Sequence, residues 1–140
     1  MHVSAKLDYA LRALLHLAEH APAVVNVETL SAEQQLPRLY AEAVLNDLRK
    51  HGYVVSRRGA RGGYRLAVAP DQLRIGPLVR LVDGPFVTVH DQDPASVRYP
   101  GAAQHVPALW GTVDDALHGA LDGITLADVL AGRLPSPGRA

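Results

Sequence analysis

The chain has 140 residues, of which 48% are apolar and 20% charged, enough for one domain with a core and too apolar for general disorder. It contains no cysteine, which excludes disulfides, a thiolate nucleophile, a cysteine-rich zinc site and a thiolate-held iron–sulfur cluster. Its zero net charge conceals an asymmetry: residues 1–80 carry 11 Lys/Arg against 7 Asp/Glu, and residues 81–140 carry 3 against 7, so the first part calls for an anionic partner.

The opening segment, MHVSAKLDYALRALLHLAEHAP, is amphipathic and charged throughout. It therefore reads as neither a signal peptide nor a membrane span, and a cytoplasmic location is expected. A first helix is predicted over about 4–20. Ser4 is its N-cap, Asp8 favours the positive end of the dipole, and Leu7, Leu11, Leu14, Leu15 and Ala18 make one apolar face. A short helix starts near Asn26, with Val27, Leu30 and Leu36 as its apolar contacts, and is broken at Gln34–Pro37. A third spans about 38–51 with Val44, Leu45 and Leu48 inward. It ends on Arg49, Lys50 and His51 before Gly52, a left-handed terminator. Two such helices across so short a turn suit a helix-turn-helix.

After Gly52 the periodicity changes from 3.6 to 2. Tyr53–Ser56 reads as one strand, and Tyr64, Leu66 and Val68 alternate with Arg65 and Ala67 in a second, around a glycine-rich turn over 57–63. The segment 49–65 holds Arg49, Lys50, Arg57, Arg58, Arg61 and Arg65 and no acid. Alone, such a charge run is as well explained by a solvated loop. Following a helix-turn-helix, it makes the wing of a winged helix-turn-helix.

A fourth helix near 75–82 offers Leu78, Leu81 and Val82, and Gly84 and Pro85 stop it. Residues 83–107 carry four prolines and little periodicity, a length that marks a functional or disordered loop. Helical spacing returns at about 106–121, with Leu109, Trp110, Val113, Leu117 and Leu121 on one face and Asp114, Asp115, His118 and Asp122 on the other. Thr125 and Asp128 begin a last helix through a capping box.

KLDYALRALLHLAEH, LSAEQQLPRLYAEAVLNDLRKHGYVVSRRGARGGYRL, IGPLVRLVDGP and LW…ITLADVL together resemble the Rrf-two family of bacterial winged helix-turn-helix transcription regulators, with its IscR-, NsrR- and CymR-like members. The resemblance covers about residues 1–131, and RGxxGGYRL after LRKxGYV is its most specific part. It implies a homodimer whose heads bind a pseudo-palindromic double-stranded operator, and a long helix near 106–121 that pairs across the dimer. Cluster-holding members place three cysteines in the loop before LW. Here that loop has none, so the chain resembles a cysteine-free variant, and Asp8, where one branch uses an acidic ligand, is a first-turn carboxylate. Gln35 and Pro37 stand where Gly and Ser are common, which predicts a shifted cap and an intact fold.

The expected class is mostly α with a small β-hairpin. Residues 1–82 form the DNA-binding domain, 83–107 a sensory loop, 108–131 dimerisation helices, and 132–140 a flexible tail. On the third helix, Arg38, Tyr40, Glu42 and Asn46 are candidates for base contact in the major groove. The alternative packs Tyr40 on the first helix and leaves Glu42 as plain surface. Arg57, Arg58, Arg61 and Arg65 would hold phosphates or enter a narrow minor groove, and Arg49 and Lys50 complete the DNA-facing set. Flanking strands pin the turn, which disfavours a flexible single-strand binder. Leu109, Trp110, Val113, Leu117 and Leu121 are the dimer candidates.

His16 and His20 have the i, i+4 spacing of a metal pair, and His90, Asp91, Asp93 and His105 share the long loop. No catalytic frame accompanies them and scattered histidines usually cap or solvate, so no metal and no cofactor are assigned, and the effector is unknown. The expected function is a dimeric, sequence-specific DNA-binding repressor, not an enzyme. Its alternatives are a winged-helix protein-interaction module and a small metal-dependent enzyme.

Overall fold

The computed structural model describes residues 1–135. Residues 136–140 of the tail expected at 132–140 lie outside the described residues. Six α-helices and one hairpin follow in the order α1 (Ala5–His20), α2 (Val27–Gln34), α3 (Arg38–Lys50), β1 (Val54–Arg57), β2 (Gly63–Leu66), α4 (Ile75–Asp83), α5 (Val106–Asp122) and α6 (Leu126–Ala131). This is the mostly helical, winged helix-turn-helix class that the periodicities predict. Among the described residues no helix is long and apolar enough to cross a membrane.

Helix α1 is the spine of the head. Leu7, Ala10, Ala13, Leu14, Leu17 and Ala18 are buried, a wider face than the leucine spacing alone suggests. Leu14 has no exposed surface, and truncating such a side chain to alanine costs on the order of 3 kcal/mol. Ser4 Oγ accepts the Leu7 N–H at 3.0 Å, while the Asp83 carboxylate accepts from the Ser4 hydroxyl and from its N–H. The start of α1 is thereby tied to the end of α4.

Asn26 Oδ1 accepts the Thr29 N–H at 2.8 Å to begin α2. Gln35 ends it in the left-handed region at φ 54°, a conformation that a glycine would take without strain. Pro37 then stands at the N-cap of α3 and no side chain caps that helix, so the expected shifted cap does not form. The helix is intact all the same: its first backbone bond, Ala41 N–H to Pro37 O, is made at 2.9 Å, and Arg38 in its first turn reaches Glu28 of α2 at 2.6 Å. Ala41, Val44, Leu45 and Leu48 are buried against α1.

The strands are offset by a residue or two from the prediction, starting at Val54 instead of Tyr53 and ending at Leu66 instead of Val68. Val54 faces Leu66, Val55 faces Arg65, Ser56 faces Tyr64 and Arg57 faces Gly63. The wing also gains an unpredicted partner. Val25 and Tyr64 exchange backbone hydrogen bonds of 2.8 and 2.9 Å. That approach requires Gly63, where a Cβ would run into the Val25 carbonyl.

In α4, Ile75, Leu78 and Val79 are buried, but Leu81 points to solvent because the inward row runs through 75, 78, 79 and 82. The 83–107 segment is ordered by Phe86, which is buried, by a Val89–Gln92 turn with two 2.9 Å hydrogen bonds, and by two single 3₁₀ turns at Pro94–Ser96 and Gly101–Ala103. The 108–131 segment divides. Leu126 of α6 is fully buried, and Ile75 N–H→Ile124 O (2.9 Å) and Leu126 N–H→Leu73 O (2.8 Å) stitch α6 into the head. Helix α5 is locked to α4 through Arg80, which meets Asp122 at 3.0 Å and donates to His118 Nδ1 at 2.7 Å.

Candidate nucleic-acid interface

Helix α3, the N-terminus of α2 and the wing enclose an open groove of about 930 Å³. Because Ala41, Val44, Leu45 and Leu48 point into the core, the opposite stripe of α3 must face outward. Leu39, Glu42, Ala43 and Asn46 line the groove on that side, with Arg38 at its start. The wing contributes Ser56, Arg57, Arg58 and the backbone of Gly59, Gly62 and Gly63. Five of the predicted residues, Arg38, Glu42, Asn46, Arg57 and Arg58, thus converge on one surface although up to twenty residues separate them in the chain.

The others are distributed around it. Arg61 is exposed on the wing turn, and Arg49 and Lys50 are exposed at the far end of α3. Arg49 also donates to Asn46 Oδ1 at 2.9 Å, which orients that amide within the groove. Arg65 alternates with Tyr64 and so lies on the opposite face of the ribbon from Ser56 and Tyr64. Tyr40 is 62% exposed, and its ring lies 6.0 Å from that of Tyr9, beside a small apolar hollow between α1 and α3. It therefore packs on the first helix while remaining open to solvent.

The charges on this surface are unequal in freedom. Arg38 sits between Glu28 (2.6 Å) and Glu42 (3.5 Å). Among the described residues, no carboxylate lies within ion-pair distance of Arg49, Lys50, Arg57, Arg58, Arg61 or Arg65. Two of them, Arg57 and Arg58, line the groove, and unpaired guanidinium groups there create a positive field suited to a polyanion. Planar guanidinium groups can pair bidentately with phosphate oxygens, and Asn and Glu present base-reading donors and acceptors.

Two groove residues escape sequence reasoning. Leu39 is 79% exposed on the groove wall, an apolar side chain of the kind that can contact a thymine methyl. Its signal is its place on the stripe that also carries Asn46, seven residues on. The spacing of Ser56 marks it only as a strand residue, and the hairpin register alone shows it facing the groove.

Apart from the groove and sharing none of its lining, Pro85, Phe86, Val87, Tyr99, Trp110 and Val113 line a second cavity of about 930 Å³ between the 83–107 segment, the N-terminus and α5. It offers no thiolate, so the donors for a cysteine-ligated cluster are lacking. Of the dimer candidates, Leu109 and Val113 are 54% and 40% exposed and Trp110 is half-buried, whereas Leu117 and Leu121 pack against the protomer's own core. The loop groups His90, Asp91, Asp93 and His105 do not gather. Among the described residues, the one close group of three or more potential metal ligands is His16, Glu19 and His20 on α1.

A family model described as Rrf2, iron-dependent transcriptional regulator, matches residues 3–132. The putative HTH-type transcriptional regulator Rv1287 of Mycobacterium tuberculosis is 35% identical over 136 residues, covering 96% of this chain and 84% of the relative. The HTH-type regulator CymR of Bacillus subtilis is 32% identical over 133 residues, covering 92% and 89%. Among solved structures, T. potens IscR superposes with a TM-score of 0.74 at 30% identity, covering 100% of this chain and 93% of that one. The groove and the wing are therefore set in a shared scaffold, and the chain belongs to the Rrf2 family of helix-turn-helix transcriptional regulators.

Proposed function

We propose that this protein is a cytoplasmic homodimer that binds a pseudo-palindromic DNA operator and represses transcription, without a cysteine-ligated cluster and without enzymatic activity. The observation that carries this reading is the convergence of the outward stripe of α3 and the guanidinium groups of Arg57 and Arg58 on one groove. Helix α3 enters the major groove, where Asn46, Glu42 and Leu39 meet base edges. The wing arginines hold the flanking phosphates. The exposed Leu109 and Val113, with Trp110, supply the pairing surface on α5, and two copies place their recognition helices about 34 Å apart on successive major grooves.

Regulation then needs an effector that favours one dimer geometry over another. The cavity between the 83–107 segment and α5 lies beside the pairing surface and is the natural place for it. Selection from a random duplex pool, followed by affinity measurement against competitor DNA at several salt concentrations, tests the proposal. A specific regulator enriches a two-fold symmetric sequence and loses affinity for it in the Arg57→Ala and Arg58→Ala variants. Equal affinity for every duplex refutes it.

A further inference from the structure

Helix α3 is flanked by two concavities: the basic groove, and the apolar hollow of about 270 Å³ between α1 and α3. Ala5, Tyr9, Tyr40, Ala43 and Val44 make most of the hollow, and Ala43 lines the groove as well. At about 100° per residue, Ala43 stands with Leu39 and Asn46 opposite the buried stripe of the helix. Glu42 turns from that crest toward the wing, whereas Tyr40 and Asp47 turn the other way, toward α1.

The width of a DNA major groove gives this second flank a task. A helix with its side chains is about 10–12 Å across and the groove about 12 Å wide, so a helix seated there meets a sugar-phosphate wall on each side. The wing serves one wall. Toward the other, Tyr40 is 62% exposed at the edge of the hollow, its ring 6.0 Å from that of Tyr9. Its hydroxyl can donate to a phosphate oxygen, and the apolar walls suit the C–H face of a deoxyribose. One group on this flank opposes that use: the Asp47 carboxylate repels phosphate. Lys6 Nζ, from the first turn of α1, answers it at 2.8 Å, and both side chains are about half exposed. Asp8 is likewise paired, with Arg12 at 3.2 Å. The charges of this flank therefore cancel, which fits a hydroxyl contact better than a cationic one.

We propose that the duplex rests on both flanks of α3. The wing arginines hold phosphates on one side; on the other, Tyr40 donates to a phosphate of the facing strand, and Lys6 masks Asp47 so that this strand can approach. The inference rests on the DNA-binding reading and extends it to α1, which contributes nothing to the groove lining.

The test uses the full chain and a fluorescent mixed-sequence duplex of about 30 base pairs, long enough for two half-sites and suitable because phosphate contacts carry no sequence information. Anisotropy is measured across a salt series. Tyr40→Phe is expected to weaken binding about two- to tenfold, the worth of one neutral hydrogen bond, with the salt slope unchanged because a hydroxyl releases no counterion. Lys6→Gln is expected to weaken it about three- to tenfold, and adding Asp47→Asn to that variant to restore the parent's affinity. Arg133→Gln makes the same charge change outside both concavities and leaves binding as it was. Binding like the parent's in Tyr40→Phe or Lys6→Gln, a Lys6→Gln loss that Asp47→Asn does not repair, or an equal loss in Arg133→Gln overturns the proposal. Arg57→Ala and Arg58→Ala separate it from the reading beneath it. If they lose affinity while the variants on the α1 flank do not, the groove reading stands and this one falls; a parent that binds no duplex removes both.

Discussion

Arg38 and Glu28 are 2.6 Å apart and join the first turn of α3 to the first turn of α2. Both side chains are more than half exposed, so the pair is worth about 0.2–1 kcal/mol. Its importance is in what it withholds, since Arg38 must leave Glu28 before it can take a phosphate. Glu28→Gln is therefore expected to tighten binding to duplex DNA by up to about fivefold. If Arg38 then neutralises one more phosphate, the salt slope steepens by about 0.9 per site. Fluorescence anisotropy across a salt series measures both quantities. Unchanged affinity and slope would mean that Arg38 stays off the DNA.

Gly63 is required by packing and by conformation together, with φ 153° and the Val25 carbonyl where a side chain would begin. Gly63→Ala is expected to cost about 1–3 kcal/mol and to break the Val25–Tyr64 pairing that anchors the wing. Gly59, also at positive φ, faces open space, so Gly59→Ala meets backbone strain alone and should cost less. Urea unfolding of the two variants, with hydrogen exchange at Tyr64, separates the effects. Equal losses with the Tyr64 amide still protected would contradict this role.

The contrast between those glycines shows where sequence reasoning succeeds and stops. Helix caps at Ser4, Asn26 and Thr125 are local chemistry, and the hydrogen bonds their side chains make are the ones their spacing predicts. The basic segment and the period change after Gly52 locate the wing for the same reason. Contacts between distant segments leave no such trace: nothing near residue 25 announces its pairing with Tyr64, and nothing in the α6 pattern says that it folds onto α1. Helix α5 reads as one apolar stripe, but Leu117 and Leu121 serve the protomer's own core while Leu109 and Val113 remain outside. Composition cannot divide those two duties, because leucine and valine suit either.

That division has a direct consequence for assembly. In the proposed dimer, Leu109→Glu with Val113→Glu places charge on the pairing surface and is expected to yield folded monomers. Leu117→Ala, by contrast, removes packing from the protomer's core and should lower its stability by about 1–2 kcal/mol with pairing retained. Sedimentation velocity and thermal unfolding of each variant read the two effects apart. A double-glutamate variant that sediments like the parent would remove α5 from the interface.

Asp128 supplies the pH dependence. Its carboxylate accepts the Thr125 N–H at 3.0 Å and, with the Thr125 side chain and Arg133 adding to that bond, is held below the ordinary carboxylate range. A carboxyl with a lower pKa when folded than when unfolded stabilises fully above its ordinary value of about 3.9. That contribution is lost as the pH falls through the folded value. Asp128→Asn should therefore be less stable than the parent at neutral pH, with the gap closing below about pH 4. Thr125→Ala removes the reciprocal half of the capping box, the 3.1 Å bond from the Asp128 N–H, and should cost about 1 kcal/mol at neutral pH. Because α6 is stitched to α1 and α4, both losses should register in global unfolding and not only as fraying of the last helix. Urea midpoints measured from pH 3 to pH 7 decide it: a difference between the parent and Asp128→Asn that is constant across that range would show that the carboxylate contributes nothing through its charge.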